Sequence, residues 1–383
     1  MPLILLTLFT LIANIQAKTQ EKRQTSGIIL PMKQRHWLPI IEFTNMVPDE
    51  TQTPFPPVIR LFLRSICSQS LYFSTSRTSL ELPFLPVRLG VTPVLQQRVF
   101  EFDGWLAPFR TTDWVSTATG ILCMKSPNIP NDPFANFLSR FPSKVISFWF
   151  TDEQTNGDVT VGELSVGMLN EARMGRTRIT FPLKSLTFDD QEHQAPGWIT
   201  RDAYSLKLGS REYPDIGNHL VFAFVGYGLR VPDDVFQMIV KELKTERKKA
   251  LIQSKPTMPE EILMNIYEYA DTKRVIRFDC QYAPKLPDLQ FGELKIPKEM
   301  LYMKNNGGKC SLLVSANQGQ DRHIFFGSSI LQQYVFSVDF NSPGDEFAMF
   351  ASKRTPADTI LDASEIALGC IRDGIIVSGC TIA

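Results

Sequence analysis

The chain is 383 residues long, carries 40 basic and 40 acidic side chains, and has a pI near 6.9. This charge balance argues against a nucleic-acid-binding protein, which normally shows a basic excess, so we expect no nucleic-acid partner. The length suits two or three domains or one large two-lobed domain, and an apolar content of 43% predicts a folded chain.

The first segment, residues 1–17, is apolar up to Asn14 and ends at the small residue Ala17. It is too short to cross a bilayer comfortably, and a polar stretch follows it, which is typical of a cleaved secretory signal. A buried core helix is the alternative, because no Lys or Arg lies near the start. We therefore expect a secreted protein, extracellular or in the endolysosomal lumen. Residues 18–35 are polar and basic and are predicted to form a leader or a propeptide remnant.

No later stretch reaches the roughly 18 uninterrupted apolar residues of a membrane-spanning helix, so no membrane span is expected. After the leader, the sequence is typical of short strands bounded by prolines. Apolar residues at helical spacing predict a helix at 132–138, and Val145–Phe150 is predicted to be a strand. Asn156-Gly157 is a strong hairpin signal before the next strand.

The second half begins with alternating strand patterns over 177–213. Residues 219–224 form a continuous apolar run, as in a strand buried on both faces. Pro232 and the acidic residues after it predict the start of a helix, and a second helix is expected at 258–268. Many short strands and few short helices predict a mostly-β protein.

Six cysteines behind a signal peptide suit an oxidising compartment. There is no Cys-x-x-Cys, and the four histidines are scattered, so neither a zinc site nor any other metal or cofactor is expected. The sequence leaves open the pairing of four cysteines: Cys67, Cys123, Cys370 and Cys380. A Cys370–Cys380 bond would rest only on proximity and parity.

Residues 278–339 carry a series of short motifs. The series is Phe278-Asp279-Cys280, Leu286-Pro287-Asp288-Leu289, Tyr302, Cys310 and Phe325-Phe326-Gly327 followed by the segment from Ser328 to Tyr334. In this order and spacing it resembles the pepsin-like aspartic protease family. Three earlier stretches extend the resemblance, which runs from about Trp37 to Lys353: the family-like turn Phe102-Asp103-Gly104-Trp105-Leu106, the hairpin Gly162–Gly167 and the strand Arg176–Leu183.

The resemblance implies a mostly-β, two-lobed pepsin-like fold whose lobes meet near residues 165–180. It divides the chain into an N-terminal lobe (36–178), a C-terminal lobe (179–352) and a tail (353–383). It also implies a disulfide between Cys280 and Cys310. We expect the protein to be a monomer.

The chain departs from this family at the catalytic centre, because neither Asp-Thr-Gly nor Asp-Ser-Gly occurs in it. In the family, the aspartates of two such motifs share a proton, and together they activate a water and protonate the scissile carbonyl. Residues 219–226 resemble the second motif and its strand, which puts Phe224 at the catalytic position. Residues 63–74 resemble the first motif with one extra residue, which puts Arg64 there.

Two further departures concern the same region. Asp215-Ile216-Gly217 is the nearest surviving motif, but polar residues precede it where the family has a buried strand. The interval between Arg64 and Phe102 is much shorter than in the family. Either the flap hairpin that closes over a substrate has been deleted from a shortened N-terminal lobe, or the gene model has lost an exon.

Three functions are compatible with this pattern. The first is a secreted, catalytically inactive relative of the aspartic peptidases that binds an extended peptide or protein in its cleft. The second is a residual or unconventional endopeptidase that uses acids elsewhere, such as Asp215. The third is a structural relative, or an incomplete gene model, with no defined ligand. Two carboxylates within about 6 Å of each other at the cleft floor would favour the second.

Overall fold

The computed structural model describes residues 27–35, 38–46, 58–64, 71–75, 85–91, 100–110, 120–124, 133–151, 157–184, 198–224, 228–241, 265–268, 274–317, 322–358, 371–372 and 375–376. The predicted signal peptide and most of the predicted tail lie outside these ranges. Strands make up most of what is described, so the predicted mostly-β class is confirmed. No helix in the described ranges is long and apolar enough to cross a membrane.

The strands are β1 (Ile28–Arg35), β2 (Leu38–Asn45), β3 (Val58–Arg64), β4 (Leu71–Thr75), β5 (Leu85–Val91), β6 (Phe100–Arg110), β7 (Gly120–Cys123), β8 (Val145–Phe150), β9 (Gly157–Val166), β10 (Met174–Pro182), β11 (Tyr204–Leu208), β12 (Arg211–Asn218), β13 (Leu220–Val221), β14 (Leu229–Val231), β15 (Asn265–Glu268), β16 (Arg274–Asp279), β17 (Leu289–Phe291), β18 (Leu294–Ile296), β19 (Tyr302–Lys304), β20 (Lys309–Leu312), β21 (Val314–Ala316), β22 (Ile324–Phe325), β23 (Tyr334–Asp339), β24 (Phe347–Lys353), β25 (Ile371–Arg372) and β26 (Ile375–Ile376). The α-helices are α1 (Pro133–Leu138), α2 (233–241) and α3, of which residues 356–358 are described. Short 3-10 helices lie at Glu171–Arg173, Cys280–Lys285, Lys298–Met300, Asn306–Gly308 and Ser328–Gln332.

The largest sheet orders its strands β10-β24-β23-β8-β9-β1-β2-β3-β7-β4-β6-β5. We call its first six strands, β10 to β1, the central sheet. All neighbours within the central sheet are antiparallel. Three of its strands come from the first half of the described chain and three from the second, so the two halves share one hydrogen-bonded sheet.

The central sheet repeats one arrangement twice. In the first half, β1 pairs with β9 and β9 with β8; in the second, β10 pairs with β24 and β24 with β23. The two halves join through β8 and β23, where Ser147 faces Ser337 and their Oγ atoms lie 2.7 Å apart. An approximate twofold axis therefore passes between these two serines.

A second arrangement of four strands is also repeated, and we call it the crossover motif. In the first half, β3 pairs with β7 in parallel, β4 with β7 antiparallel, and β4 with β6 in parallel. In the second half, β13, β22, β14 and β21 make the same three pairings in the same chain order. Each half thus contributes three strands to the central sheet and one crossover motif.

The hydrophobic core is continuous through both halves. Phe148 of β8 and Phe336 of β23 are register partners, both are buried, and their ring centroids lie 5.2 Å apart. Burial of such side chains contributes about 25 cal/mol per Å² of apolar surface removed from water. The junction between the two halves is therefore part of the core.

One predicted boundary is wrong, because part of the predicted leader (18–35) belongs to the folded body. Its last eight residues form β1, which lies between β9 and β2 in the sheet. Ile28, Leu30 and Met32 alternate along β1 and are buried. The sequence analysis missed this alternation because the strand ends in basic residues, which are typical of an exposed leader. In the structure, one of them, Lys33, forms an ion pair with Glu42 on β2.

Two local predictions are also corrected. Residues 265–268 form β15, which pairs with β16, and not part of a helix over 258–268; the start of that range lies outside the described residues. Phe102–Leu106, expected as a turn, lies within β6 and pairs with β5. In contrast, α1 and α2 begin close to where the sequence predicts helices.

Candidate functional site

The two positions expected to replace the catalytic aspartates occupy corresponding places in the two crossover motifs. Arg64 is the last residue of β3 and pairs with Cys123 of the parallel strand β7. Phe224 lies just beyond β13 and extends the parallel pairing with β22. The side chain of Arg64 is outside the described part of the structure.

The backbone around Phe224 is held by the neighbouring strand. The Phe224 amide donates to the Phe326 carbonyl at 2.9 Å, and the Phe326 amide donates to the Val221 carbonyl at 2.9 Å. Phe224 has a φ of 50°, in the left-handed region that bulky residues rarely adopt. Such a conformation costs on the order of 1–3 kcal/mol and persists where surrounding contacts enforce it.

Aromatic packing supplies those contacts. The Phe224 ring lies 4.9 Å from that of Phe336, 5.1 Å from that of Phe148 and 6.5 Å from that of Trp198, measured between centroids. Phe224 is 1% exposed. Its side chain therefore points into the core, onto the junction of β8 and β23, where it can neither exchange a proton nor orient a water.

Trp198 introduces one polar atom into this cluster. Its Nε1 is buried and has no hydrogen-bond partner in the described structure. An unsatisfied buried donor costs about 1–3 kcal/mol. Like the strain at Phe224, this cost is offset by the surrounding apolar contacts.

Asp215 is not part of either crossover motif. It belongs to β12, the edge strand of a separate sheet ordered β12-β11-β17-β18. The side chain of Asp215 is not described. The backbone position of Asp215 therefore does not support a role for it as a catalytic carboxylate next to Phe224.

The structure joins Cys280 to Cys310, the pair that the resemblance implies, with an S–S distance of 2.12 Å. The bond links the start of a 3-10 helix to β20, and Cys310 is fully buried. Closing a loop of this size removes unfolded-state entropy worth roughly 3–4 kcal/mol in the chain-entropy model. The side chains of the other four cysteines lie outside the described part of the chain.

A network of charged and polar groups, missed by the sequence reasoning, lies on the opposite face of the central sheet. Glu163 Oε2 accepts hydrogen bonds from Trp149 Nε1 at 3.1 Å and from Asn170 Nδ2 at 2.9 Å. Arg173 binds both carboxylate oxygens, at 3.1 and 2.8 Å. Trp149 and Glu163 are register partners on β8 and β9, and a hairpin register centred on the Asn156-Gly157 turn signal could have placed them on one face. No sequence pattern carries a signal for Arg173.

Burial and hydrogen bonding act in opposite directions on Glu163. Burial disfavours its charged form, but the hydrogen bonds from Arg173, Asn170 and Trp149 outweigh this effect and hold the pKa of Glu163 below its usual value. The hydrogen bonding between Arg173 and Glu163 also raises the pKa of Arg173. The pair therefore stays ionised across the physiological pH range.

Within the described ranges, no three His, Cys, Asp or Glu side chains are grouped as a metal site would need. No protein-family model and no curated protein matches this chain.

Proposed function

We propose that this chain is a pepsin-like protein without peptidase activity that binds extended peptide or protein segments in a cleft between two lobes. The twofold repeat supports the fold part of the proposal. Each half supplies three strands to the central sheet and one crossover motif. The segment 167–173, between β9 and β10, connects the halves within the region where the lobes are expected to meet.

The observation that carries the functional part is the environment of Phe224. An aspartic dyad needs two carboxylates that share a proton, one activating a water and the other protonating the substrate. The position expected for one of them holds a phenyl ring that is 1% exposed among other aromatic rings. Acid–base assistance of this kind contributes orders of magnitude to a rate, so its loss removes the mechanism.

Binding does not require the dyad. An extended peptide can pair its backbone with protein strands, and side-chain pockets then supply specificity. A groove between the two crossover motifs would present such a surface. We therefore assign the protein to peptide or protein binding in a secreted compartment.

The test is digestion of a broad peptide library between about pH 2 and pH 7, the acidic to neutral range relevant to an aspartic dyad. It is run with and without a transition-state inhibitor of aspartic proteases, with pepsin as the positive control. We expect no inhibitor-sensitive cleavage, together with retention of a subset of the peptides on the immobilised protein. Inhibitor-sensitive cleavage would overturn the loss of activity, and a library that passes without retention would overturn the binding role.

Restoring the dyad should not restore cleavage. In the double variant Arg64→Asp, Phe224→Asp, Ile66 still stands where the first motif has glycine. The new carboxylate at 224 would also start from a position that faces the core. Cleavage by the double variant, measured against each single variant in the same assay, would show that only the carboxylates had been lost.

A further inference from the structure

The aromatic cluster around Phe224 forms a chamber that the ring of this residue fills. The walls of the chamber are Phe148, Phe336 and Trp198, whose ring centroids lie 5.1, 4.9 and 6.5 Å from that of Phe224. Trp198 also packs against Phe340, with 6.3 Å between the two centroids. All five side chains are buried. The chamber is therefore apolar and suited to a flat ring.

Two unfavourable features accompany the ring that fills the chamber. Phe224 holds its ring there with a φ of 50°, in the left-handed region that bulky residues rarely adopt. Trp198 Nε1 is buried and has no hydrogen-bond partner among the described residues. A phenyl ring carries no oxygen or nitrogen that accepts a hydrogen bond from this donor. Because both features belong to two rings in contact, we attribute them to one cause, which is a mismatch between the chamber and its occupant.

A different occupant would remove both unfavourable features. An aromatic ring from a ligand, placed where the Phe224 ring lies, would restore the contacts with the walls, because substitutions that conserve volume are tolerated in a core. Residue 224 would then return to the negative φ that phenylalanine prefers. An acceptor atom on the ligand would bind Trp198 Nε1. Burial of the ligand ring offsets exposure of the Phe224 ring, so relief of the strain and of the unsatisfied donor favours the exchange.

We propose that Phe224 is an internal plug in this chamber, and that a small aromatic molecule carrying a hydrogen-bond acceptor displaces it. The ligand class is the aryl ketones, aldehydes and esters, whose carbonyl oxygen accepts from Trp198 Nε1. A phenol fits less well, because its hydroxyl adds a donor that the apolar walls leave unsatisfied. The proposal does not depend on peptide binding, since its ligand is a small molecule and its walls are core side chains.

The probes are acetophenone and α-methylstyrene, which have nearly the same planar shape but carry a carbonyl oxygen and a methylene group at the same place. Each is titrated into the ¹⁵N-labelled full chain up to its solubility limit and followed by NMR through the indole N–H signals. We expect acetophenone to shift the Trp198 indole signal and to bind about tenfold or more tightly than α-methylstyrene. The Trp149 indole is the internal control, because it already donates to Glu163 and its signal should not move.

Two variants test the plug and the donor separately. Phe224→Gly removes the ring, and glycine adopts a positive φ without strain, so it should bind acetophenone about tenfold or more tightly than the wild type does. Trp198→Phe keeps an aromatic wall, removes the N–H and assigns the Trp198 signal; its preference for acetophenone over α-methylstyrene should disappear. The matched control is Phe236→Ala, which removes a buried phenyl ring from α2 and should bind acetophenone no more tightly than the wild type does.

Circular dichroism checks that each variant is folded. If Phe224→Gly does not fold, the wild type and Trp198→Phe decide the outcome. A Trp198 indole signal that stays in place when acetophenone is added to the wild type would overturn the displacement of the plug. Equal affinity of the wild type for the two probes, or an unaltered preference for acetophenone in Trp198→Phe, would overturn the role of the buried donor.

Discussion

Phe224 shows how one residue can carry both strain and stability. Its left-handed backbone conformation destabilises the folded state. The contacts of its ring with Phe148 and Phe336 offset this cost, because each well-placed aromatic pair contributes about 0.5–1.5 kcal/mol beyond area burial. The sequence could mark Phe224 as standing where an aspartate is expected. It could not indicate the positive φ, because nothing in a phenylalanine predicts that conformation.

The first prediction concerns a carboxylate at this position. Phe224→Asp should destabilise the protein by about 3–5 kcal/mol at neutral pH, because it removes a core ring and buries a charge. Burial raises the folded-state pKa of such an aspartate above its unfolded value of about 3.9. Between the two pKa values the folded state binds more protons than the unfolded state. The variant therefore loses stability as the pH rises from the unfolded-state pKa toward the folded-state pKa.

Phe224→Asn is the matched control, because it has nearly the same shape and does not titrate. The unfolding free energies of the Asp and Asn variants, measured by urea denaturation, should converge near pH 3 and separate toward pH 7. A constant difference between the two variants over this pH range would mean that residue 224 is hydrated, contrary to its burial.

The second prediction uses the carboxylate of Glu163. Its pKa is lowered in the folded state, so its contribution to stability is present above the unfolded pKa of about 4.3 and is lost as the pH falls through the folded value. Glu163→Gln should therefore cost about 1 kcal/mol at pH 7, a figure discounted because Arg173 is half exposed, and almost nothing near pH 2.

The control for this measurement is Glu171→Gln. Glu171 also binds an arginine, Arg178, but both side chains are largely exposed, so solvent screens the pair. Its replacement should change the unfolding free energy by less than about 0.5 kcal/mol at either pH. An equal loss in both variants would show that the buried part of the Glu163 network adds nothing.

At the scale of elements, local patterns predicted strands and helices better than they predicted the partners of those elements. The strand pattern at Val145–Phe150 and the Asn156-Gly157 turn signal were enough to predict the hairpin of β8 and β9. The pairing of β8 with β23 joins residues 190 positions apart, and no local pattern encodes it. β15 was mistaken for a helix because a short apolar run fits both periods, and its pairing with β16 decides between them.

The third prediction tests the place of β1. Leu30 is 3% exposed, so Leu30→Ala should lower the unfolding free energy by about 2–5 kcal/mol. Lys33→Ala on the same strand removes only a partly exposed ion pair and should cost less than about 1 kcal/mol. Urea denaturation of both variants checks this. Equally small losses of unfolding free energy in both variants would mean that residues 28–35 are not part of the folded body, as the sequence suggested.

For the whole molecule, the twofold repeat has consequences for cooperativity. A chain of two lobes with a small interface would unfold in two steps, one for each lobe. Here the halves share the hydrogen bonds between β8 and β23 and a common aromatic core. Opening either half exposes the junction, so the central sheet should open only when the whole protein unfolds.

The last prediction follows from this shared sheet. Backbone amides open with free energies that range from near zero in frayed segments up to the global value in core strands. By native-state hydrogen exchange with mass spectrometry, peptides covering β8 and β23 should exchange at one common slow rate, although they come from opposite halves. Peptides covering β12 should exchange faster, since among the described strands it lies at the edge of its sheet, next to β11. If β8 and β23 instead exchanged at clearly different rates, the two halves would be opening separately, and the junction at Ser147 and Ser337 would be a contact between independent units.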